Sequence, residues 1–227
     1  MKKVFLFLAI SCLGFSEELV YDVKMLGIKA GTQKISQVQE DNGKIRLISE
    51  TKTNGFFSKF YKVDDYIEVI LDKKPFLPEY FPVYLLQRIN EGKYHGIFEV
   101  KFNQRKKIIT ITSDGKEKEI ELSEKVYDII SLIHYLRNID LCSGNLGKFY
   151  LIVKGELKEI TIIAKEKNVT IKGKSYGVYE VGEKPDDALY EKKEKEGIKI
   201  WFEKESKIPL MIKVPTSAGA ITAVLKR

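Results

Sequence analysis

Side chains able to carry out chemistry are few in this sequence and widely spaced. The 227 residues include only two histidines, His95 and His134, and two cysteines, Cys12 and Cys142. Neither type has the spacing of a metal-binding cluster, and the chain contains no G-x-S-x-G, H-E-x-x-H or glycine-rich phosphate-binding motif. We therefore expect no catalytic residue, no metal site and no cofactor, and we interpret the protein as non-enzymatic.

Two pairs of adjacent acids are the remaining candidates for catalysis or calcium binding. They are Asp64 with Asp65 and Asp186 with Asp187. Adjacent acids in a polar loop are commonly solvated, but two carboxylates that converge in a cleft about 5–9.5 Å apart could hydrolyse a glycoside. A hydrolase that acts on an envelope polymer is therefore a third hypothesis, behind the two binding functions given below.

Aromatic residues are dense in two stretches, 54–66 and 75–84. Such residues suit either the core wall and rim of a β-barrel or a surface that is partly dry and partly wet, such as one that contacts lipid. On the second interpretation, the ligand-binding residues are Phe56, Phe57, Phe60, Tyr61 and Tyr80.

The first sixteen residues have the pattern of a secretory signal peptide. Lys2 and Lys3 precede an apolar run that ends near Ser16, and this run is shorter than the roughly 20 residues of a permanent transmembrane helix. We predict cleavage after Ser16, export to the periplasm, and a single β-rich domain over 17–227 without a transmembrane helix. A lipoprotein signal is the alternative, in which an acylated Cys12 would anchor the protein to a membrane.

The charge balance gives no support for a nucleic-acid partner. The net charge is +7, and removal of Lys2 and Lys3 would lower it to +5. Many basic residues alternate with acidic ones, and no stripe of interleaved basic and aromatic residues is present. We therefore predict a mixed, solvated surface that does not bind nucleic acid.

Alternation of apolar and polar residues, interrupted by turn dipeptides, dominates the rest of the chain. The stretch 97–102 places Phe98, Val100 and Phe102 on one face, and Asn-Gly and Asp-Gly turns occur at 42–43 and 114–115. This pattern is typical of antiparallel hairpins. About a dozen short strands predict a mainly β fold, namely one large curved antiparallel sheet, a half-barrel or a barrel.

One segment has helical rather than strand periodicity. Apolar residues recur every three or four positions from Val126 to Leu136, which predicts an amphipathic helix over about 124–138. Ser123 is the expected N-cap, and Arg137 in the last turn complements the helix dipole. We expect this helix to pack on the sheet or to cap one opening of it.

Several segments together resemble an exported bacterial family designated domain of unknown function 3108. The similarity spans 21–32, 60–81, the helix string 128–137 and 197–225. Its most specific features are the helix residues and the element from Trp201 to Pro209. The helix residues are Asp128, Ser131, His134 with Tyr135, and Arg137, of which His134 stands where the family has an aromatic residue.

The resemblance implies a periplasmic or surface-exposed β-rich protein without an assigned reaction, and by analogy the half-barrel with a helix found in lipoprotein carriers. Two interpretations of the helix residues remain open. Asp128, Ser131 and Arg137 either hold the helix against the sheet or face a ligand at the mouth of the barrel.

Two binding functions follow from these expectations. The leading hypothesis is an exported, non-enzymatic envelope protein that binds or carries an apolar or amphipathic ligand, such as a lipid or a lipidated partner. The alternative is a structural or assembly factor that binds an envelope protein or polysaccharide through a sheet edge and an aromatic patch. A filled interior would argue against a carrier.

Overall fold

The computed structural model describes residues 16–73, 79–103, 106–121, 126–184, 197–216 and 219–226. Three of the expectations fall outside these residues, namely Cys12 with almost all of the predicted signal peptide, the Asp186–Asp187 pair, and Ser123. Ser16, the last residue of the predicted signal peptide, begins the first strand.

Strands account for most of the described residues. They are β1 (Ser16–Met25), β2 (Ile28–Gln39), β3 (Ile45–Thr53), β4 (Asp64–Lys73), β5 (Tyr80–Glu91), β6 (Tyr94–Asn103), β7 (Ile108–Ser113), β8 (Lys116–Glu121), β9 (Val126–Tyr127), β10 (Gly144–Val153), β11 (Glu156–Ile171), β12 (Lys174–Glu183), β13 (Lys199–Glu203), β14 (Pro209–Thr216) and β15 (Gly219–Leu225). The described residues also form one α-helix, α1 (Ile129–Arg137), and a 3-10 turn at Phe57–Lys59.

All of these strands belong to one sheet with the order β8-β7-β6-β5-β4-β3-β2-β1-β15-β14-β13-β12-β11-β10-β9. Every pair of neighbours is antiparallel except β9 with β10. The first and last strands of the chain meet in the middle of the sheet, where Tyr21 lies opposite Leu225. The prediction of a large curved antiparallel sheet with a helix is confirmed.

The predicted turns are present and explain the hairpins. Gly43, with φ +80°, lies in the connection between β2 and β3, and Asp114 and Gly115, with φ of 51° and 72°, connect β7 to β8. The two successive positive φ angles at 114–115 define a type I′ turn, whose twist matches that of the paired strands.

The core lies between the concave face of the sheet and α1. The helix contacts β3, β4 and β5 on one half of the sheet and β9 and β10 on the other. Phe98, Val100 and Phe102 are all buried, as their alternation predicts. Leu151 and Ile152 are adjacent in β10 and both buried, so β10 is covered on both faces. The edge of the sheet formed by β9 and β10 is therefore enclosed by the curved sheet.

The helix begins later than the periodicity predicts. Val126 and Tyr127 form β9, which pairs with Tyr150 and Leu151 of β10. The extended backbone of Asp128 (φ −94°, ψ 177°) then ends the strand and caps the helix. The predicted start at 124 and the predicted N-cap are therefore wrong, because a buried strand followed by a cap gives the same apolar spacing as a first helical turn.

No helix in the described part of the chain has both the length and the apolar character needed to cross a bilayer.

Candidate functional site

The void beside α1 is much smaller than a lipid. Within the described residues, the void beside α1 has a volume of about 20 Å³, whereas sites for small molecules usually measure ~300–1,000 Å³. Tightly packed aliphatic and aromatic side chains from both halves of the sheet fill the remaining space. The void beside α1 is therefore too small to enclose a lipid.

One end of the sheet, here called the tip, collects four neighbouring connections. Successive antiparallel strands reverse direction, so alternate connections lie at the same end. The tip consists of the connections 26–27, 54–63, 92–93 and 154–155 with the strand ends that flank them. The β7–β8 turn at 114–115, with Asp114, lies at the same end of the sheet and beside the tip. The opposite end, here called the base, holds the C-terminal end of α1 and the start of β1.

Asn54 fixes the longest of these connections to its neighbour. Its backbone N–H donates to the Ala30 carbonyl (2.8 Å), and its side-chain amide donates to the Lys29 carbonyl (2.9 Å). Its side-chain oxygen accepts the Phe57 N–H (3.0 Å), and its carbonyl accepts the Ser58 N–H (2.9 Å). Asn54 thereby initiates the short turn that displays the aromatic residues of this connection.

The rings of this connection form a cluster on the outside of the protein. The ring of Phe56 makes edge contacts with those of Phe57 and Phe60, each at 5.5 Å between centroids. Phe56 is 66% exposed and Phe60 is 77% exposed. Gly92 (φ +62°) lies against the ring of Tyr61, because a Cβ at this position would lie 2.7 Å from that ring.

The exposed large apolar side chains of the described residues lie at the tip. In the described part of the chain, eight large hydrophobic residues are exposed, and all eight lie in the tip connections or in the strand ends beside them. They are Leu26, Ile28, Phe56, Phe60, Tyr61, Tyr94, Ile97 and Val153. Contiguous exposed apolar patches generally mark interaction sites on soluble domains.

Several lysines accompany these side chains. Lys24, Lys59, Lys62 and Lys93 lie in the tip, and no carboxylate of the described residues is within ion-pair distance of them. The tip is therefore both apolar and cationic.

The Asp64–Asp65 pair does not form a catalytic dyad. As neighbours on β4, the two side chains point to opposite faces of the sheet. The Asp64 carboxylate lies 3.7 Å from the Lys52 ammonium, whereas that of Asp65 accepts the Asn90 N–H at 2.7 Å. Burial, together with the nearby Glu91 carboxylate, raises the pKa of Asp65 to about 6.

The helix residues Asp128 and Ser131 lie in the core and are each 1% exposed. The Asp128 carboxylate accepts the N–H groups of Ile130 (3.1 Å) and Ser131 (3.0 Å), and the Asp128 N–H donates to the Ser131 hydroxyl (3.0 Å). The Ser131 hydroxyl also donates to the Asp128 carboxylate. These bonds form a capping box, and burial raises the pKa of Asp128.

We predict that Asp128→Ala lowers the free energy of unfolding by about 2 kcal/mol, because it leaves buried helix donors without an acceptor. Urea denaturation monitored by circular dichroism measures this loss. Asp128→Asn is the matched control, since its side-chain oxygen still caps the helix, and we expect it to lose less than half as much. Equal stability of the alanine variant and the wild type would show that the capping box does not stabilise the fold.

Arg137, His134 and Tyr80 lie together at the base. The Arg137 guanidinium donates two hydrogen bonds to the Glu17 carboxylate (2.7 and 2.8 Å), and the His134 ring lies 3.1 Å from the side-chain oxygen of Gln37. The Tyr80 ring meets the His134 ring edge to face at 6.0 Å. This base cluster fastens the end of α1 to β1, β2 and β5.

The structure thus separates the predicted ligand-binding residues into three places. Phe56, Phe57, Phe60 and Tyr61 meet at the tip, Asp128 and Ser131 are enclosed in the core, and Tyr80 and Arg137 lie at the base. Sequence reasoning missed the remaining apolar members of the tip. Apolar residues that flank a turn glycine, as in Leu26-Gly27-Ile28, are a detectable signal for them, because turns are usually polar.

A second opening lies beside the tip, between the β7–β8 hairpin and the β10–β11 turn. It has a volume of about 310 Å³. Its floor is apolar, with Phe98 and Ile111, and its walls carry both acidic and basic side chains, including Glu117 and Lys118. It adjoins β8, which pairs only with β7 among the described strands.

Comparisons with known proteins agree with this fold. A family model described as a protein of unknown function (DUF3108) matches residues 20–226. The fold is similar to the crystal structure of a beta-barrel-like protein of domain of unknown function DUF1849 from Brucella abortus, with a TM-score of 0.54 and 8% sequence identity. That match covers 92% of this chain and 95% of the other chain. None of the curated proteins matches the sequence.

Proposed function

This chain belongs to the family of proteins of unknown function DUF3108, and from that premise we propose that it is an exported, non-enzymatic envelope protein that binds amphipathic molecules such as lipids at its tip. The apolar run after Lys2 and Lys3 supports export. The small volume of the void beside α1 favours binding on the surface over enclosure of a ligand.

The observation that carries this proposal is the confinement of the exposed apolar residues to one end. Scattered exposed hydrophobic residues need no explanation, whereas a contiguous group does. Exposed Phe and Tyr rings provide apolar area with little conformational entropy to lose on binding, and the tyrosines add a hydroxyl for the polar part of an amphipathic ligand.

We predict that Phe56→Ser/Phe60→Ser weakens binding of a zwitterionic short-chain phosphatidylcholine, used as monomer, by at least about tenfold, because two apolar contacts are lost. Native mass spectrometry of the chain with increasing lipid measures the bound fraction. Phe56→Leu/Phe60→Leu is the matched control, which keeps apolar side chains at both positions and should keep most of the binding.

Both rings are exposed, so neither double variant should change the melting temperature appreciably. Equal binding by the wild type and the serine variant, or a wild type that binds neither this monomer nor phospholipid vesicles, would overturn the proposal that the tip binds lipid.

A second candidate function is the binding of an envelope protein at the edge of the sheet. The outer edge of β8, with which no described strand pairs, lies beside the 310 Å³ opening and favours this function, because an extended peptide can pair with such an edge. The alternation of lysine and glutamate along β8 (Lys116–Glu121) opposes it, since charged side chains are a usual protection of edge strands against pairing. We therefore place this function second.

A further inference from the structure

The charge of the tip indicates which lipid surface it meets. Connection 54–63 contains two lysines, Lys59 and Lys62, and no acidic residue. Both lysines lie within a few positions of Phe60 and Tyr61. Positive charge is therefore built into the same short segment as the exposed rings.

Three carboxylates near the tip do not neutralise these lysines, because each of the three already has a different partner. These ion pairs are Lys29 with Asp22 (2.7 Å), Lys52 with Asp64 (3.7 Å) and Lys154 with Glu91 (2.6 Å). Lys24, Lys59, Lys62 and Lys93 have no ion-pair partner among the described residues. Glu156, beside connection 154–155, has none either. Four lysines against one carboxylate leave the described residues of the tip with a net positive uncompensated charge.

We propose that the tip docks on the surface of an anionic phospholipid bilayer, with its apolar side chains in the interfacial region and its unpaired lysines at the lipid headgroups. This inference rests on the proposed lipid binding and names its partner as a bilayer surface. Aromatic rings beside lysines suit that region, because the rings lie at headgroup depth and the long lysine stems reach anionic phosphates.

A flat surface fits this geometry better than a single extracted lipid. The apolar residues come from several separate connections and are spread over one end of the protein, whereas a single acyl chain requires a deep pocket. The void inside the sheet is about the size of one water molecule. Docking by the tip would leave the base, with the end of α1, facing away from the membrane.

Sedimentation with vesicles tests this inference. Vesicles of phosphatidylcholine alone are compared with vesicles that contain 30% phosphatidylglycerol, using the wild type, Lys59→Gln/Lys62→Gln and Lys106→Gln/Lys107→Gln. The last variant is the matched control, since it removes two exposed lysines from the β6–β7 connection at the base. The Phe56→Ser/Phe60→Ser variant measures how much the apolar rings contribute to vesicle binding.

We expect the wild type to prefer the anionic vesicles, and the Lys59/Lys62 variant to bind them about 25-fold more weakly, since each lysine near an anionic surface contributes about a fivefold factor. The control variant should stay within about twofold of the wild type. Sodium chloride at about 1 M should abolish the difference between the two lysine variants, because it screens charges beyond ~3 Å.

Equal binding to both kinds of vesicle, or equal losses in the two lysine variants, would overturn the inference. If the Phe56/Phe60 variant still bound lipid monomers more weakly in that case, the proposed lipid binding would stand. Binding of monomers without binding to either vesicle would likewise overturn the inference alone. Absence of binding to monomers and vesicles would overturn both.

Discussion

Trp201→Ala should lower the free energy of unfolding by about 3–5 kcal/mol, the usual loss for removal of a packed tryptophan. Trp201 lies in β13 and is 7% exposed, between the buried side chains of Ile200 and Phe202. Three consecutive buried residues show that β13 is covered on both faces. The indole N–H donates to the Glu180 carboxylate at 3.0 Å, so truncation also removes a hydrogen bond.

Urea denaturation followed by far-ultraviolet circular dichroism measures this loss without the tryptophan signal. Trp201→Phe is the control that separates packing from hydrogen bonding, because it keeps most of the ring area and lacks the indole N–H. We expect it to lose about 1–2 kcal/mol. An alanine variant as stable as the wild type would contradict the placement of Trp201 in the core.

Acid should destabilise the fold through His134, by about 3 kcal/mol between pH 6.5 and pH 4. Burial, assisted by the Arg137 charge, lowers the pKa of His134 to about 4, although the Glu17 carboxylate acts in the opposite direction. A histidine whose pKa is lower in the folded state contributes its stability above the unfolded pKa of ~6.5. That stability is lost as the pH falls towards 4, because protonation then favours the unfolded chain.

His134→Gln isolates this effect, since glutamine does not titrate and can still bond to Gln37. Urea denaturation at pH 7 and pH 4 gives the change in stability for each protein. Glu17 contributes to the acid sensitivity of both proteins, because the Arg137 hydrogen bond lowers its pKa. The His134→Gln variant should therefore also lose stability in acid, but less than the wild type does. Equal losses in the two proteins would show that His134 does not remain neutral in the folded state.

Local patterns predicted much of this fold. The alternation at Phe98, Val100 and Phe102 and the turns at 42–43 and 114–115 depend only on residues close in sequence. The order of the strands does not, because the pairing of β1 with β15 joins residues about two hundred positions apart. No short-range signal records that pairing.

In the candidate site, too, features set by neighbouring residues could be predicted from the sequence and long-range contacts could not. The cluster of rings at Phe56 and Phe60 could be predicted, because aromatic residues are crowded there beside polar turn residues. Glu17 and Gln37 could not be identified as partners of α1, since they contact it across about a hundred residues or more. The density of aromatic residues groups Tyr80 with those of the tip, but Tyr80 begins β5 and therefore lies at the base.

Hydrogen exchange with and without anionic vesicles tests most directly the claim that the tip is the binding surface. We predict slower exchange upon vesicle addition at 24–29, 54–63 and 92–94, because docking excludes water from these connections. The helix 129–137 and the base turn 40–44 should exchange at unchanged rates. Slowing at the base, or unchanged exchange throughout a protein that sediments with the vesicles, would contradict this account.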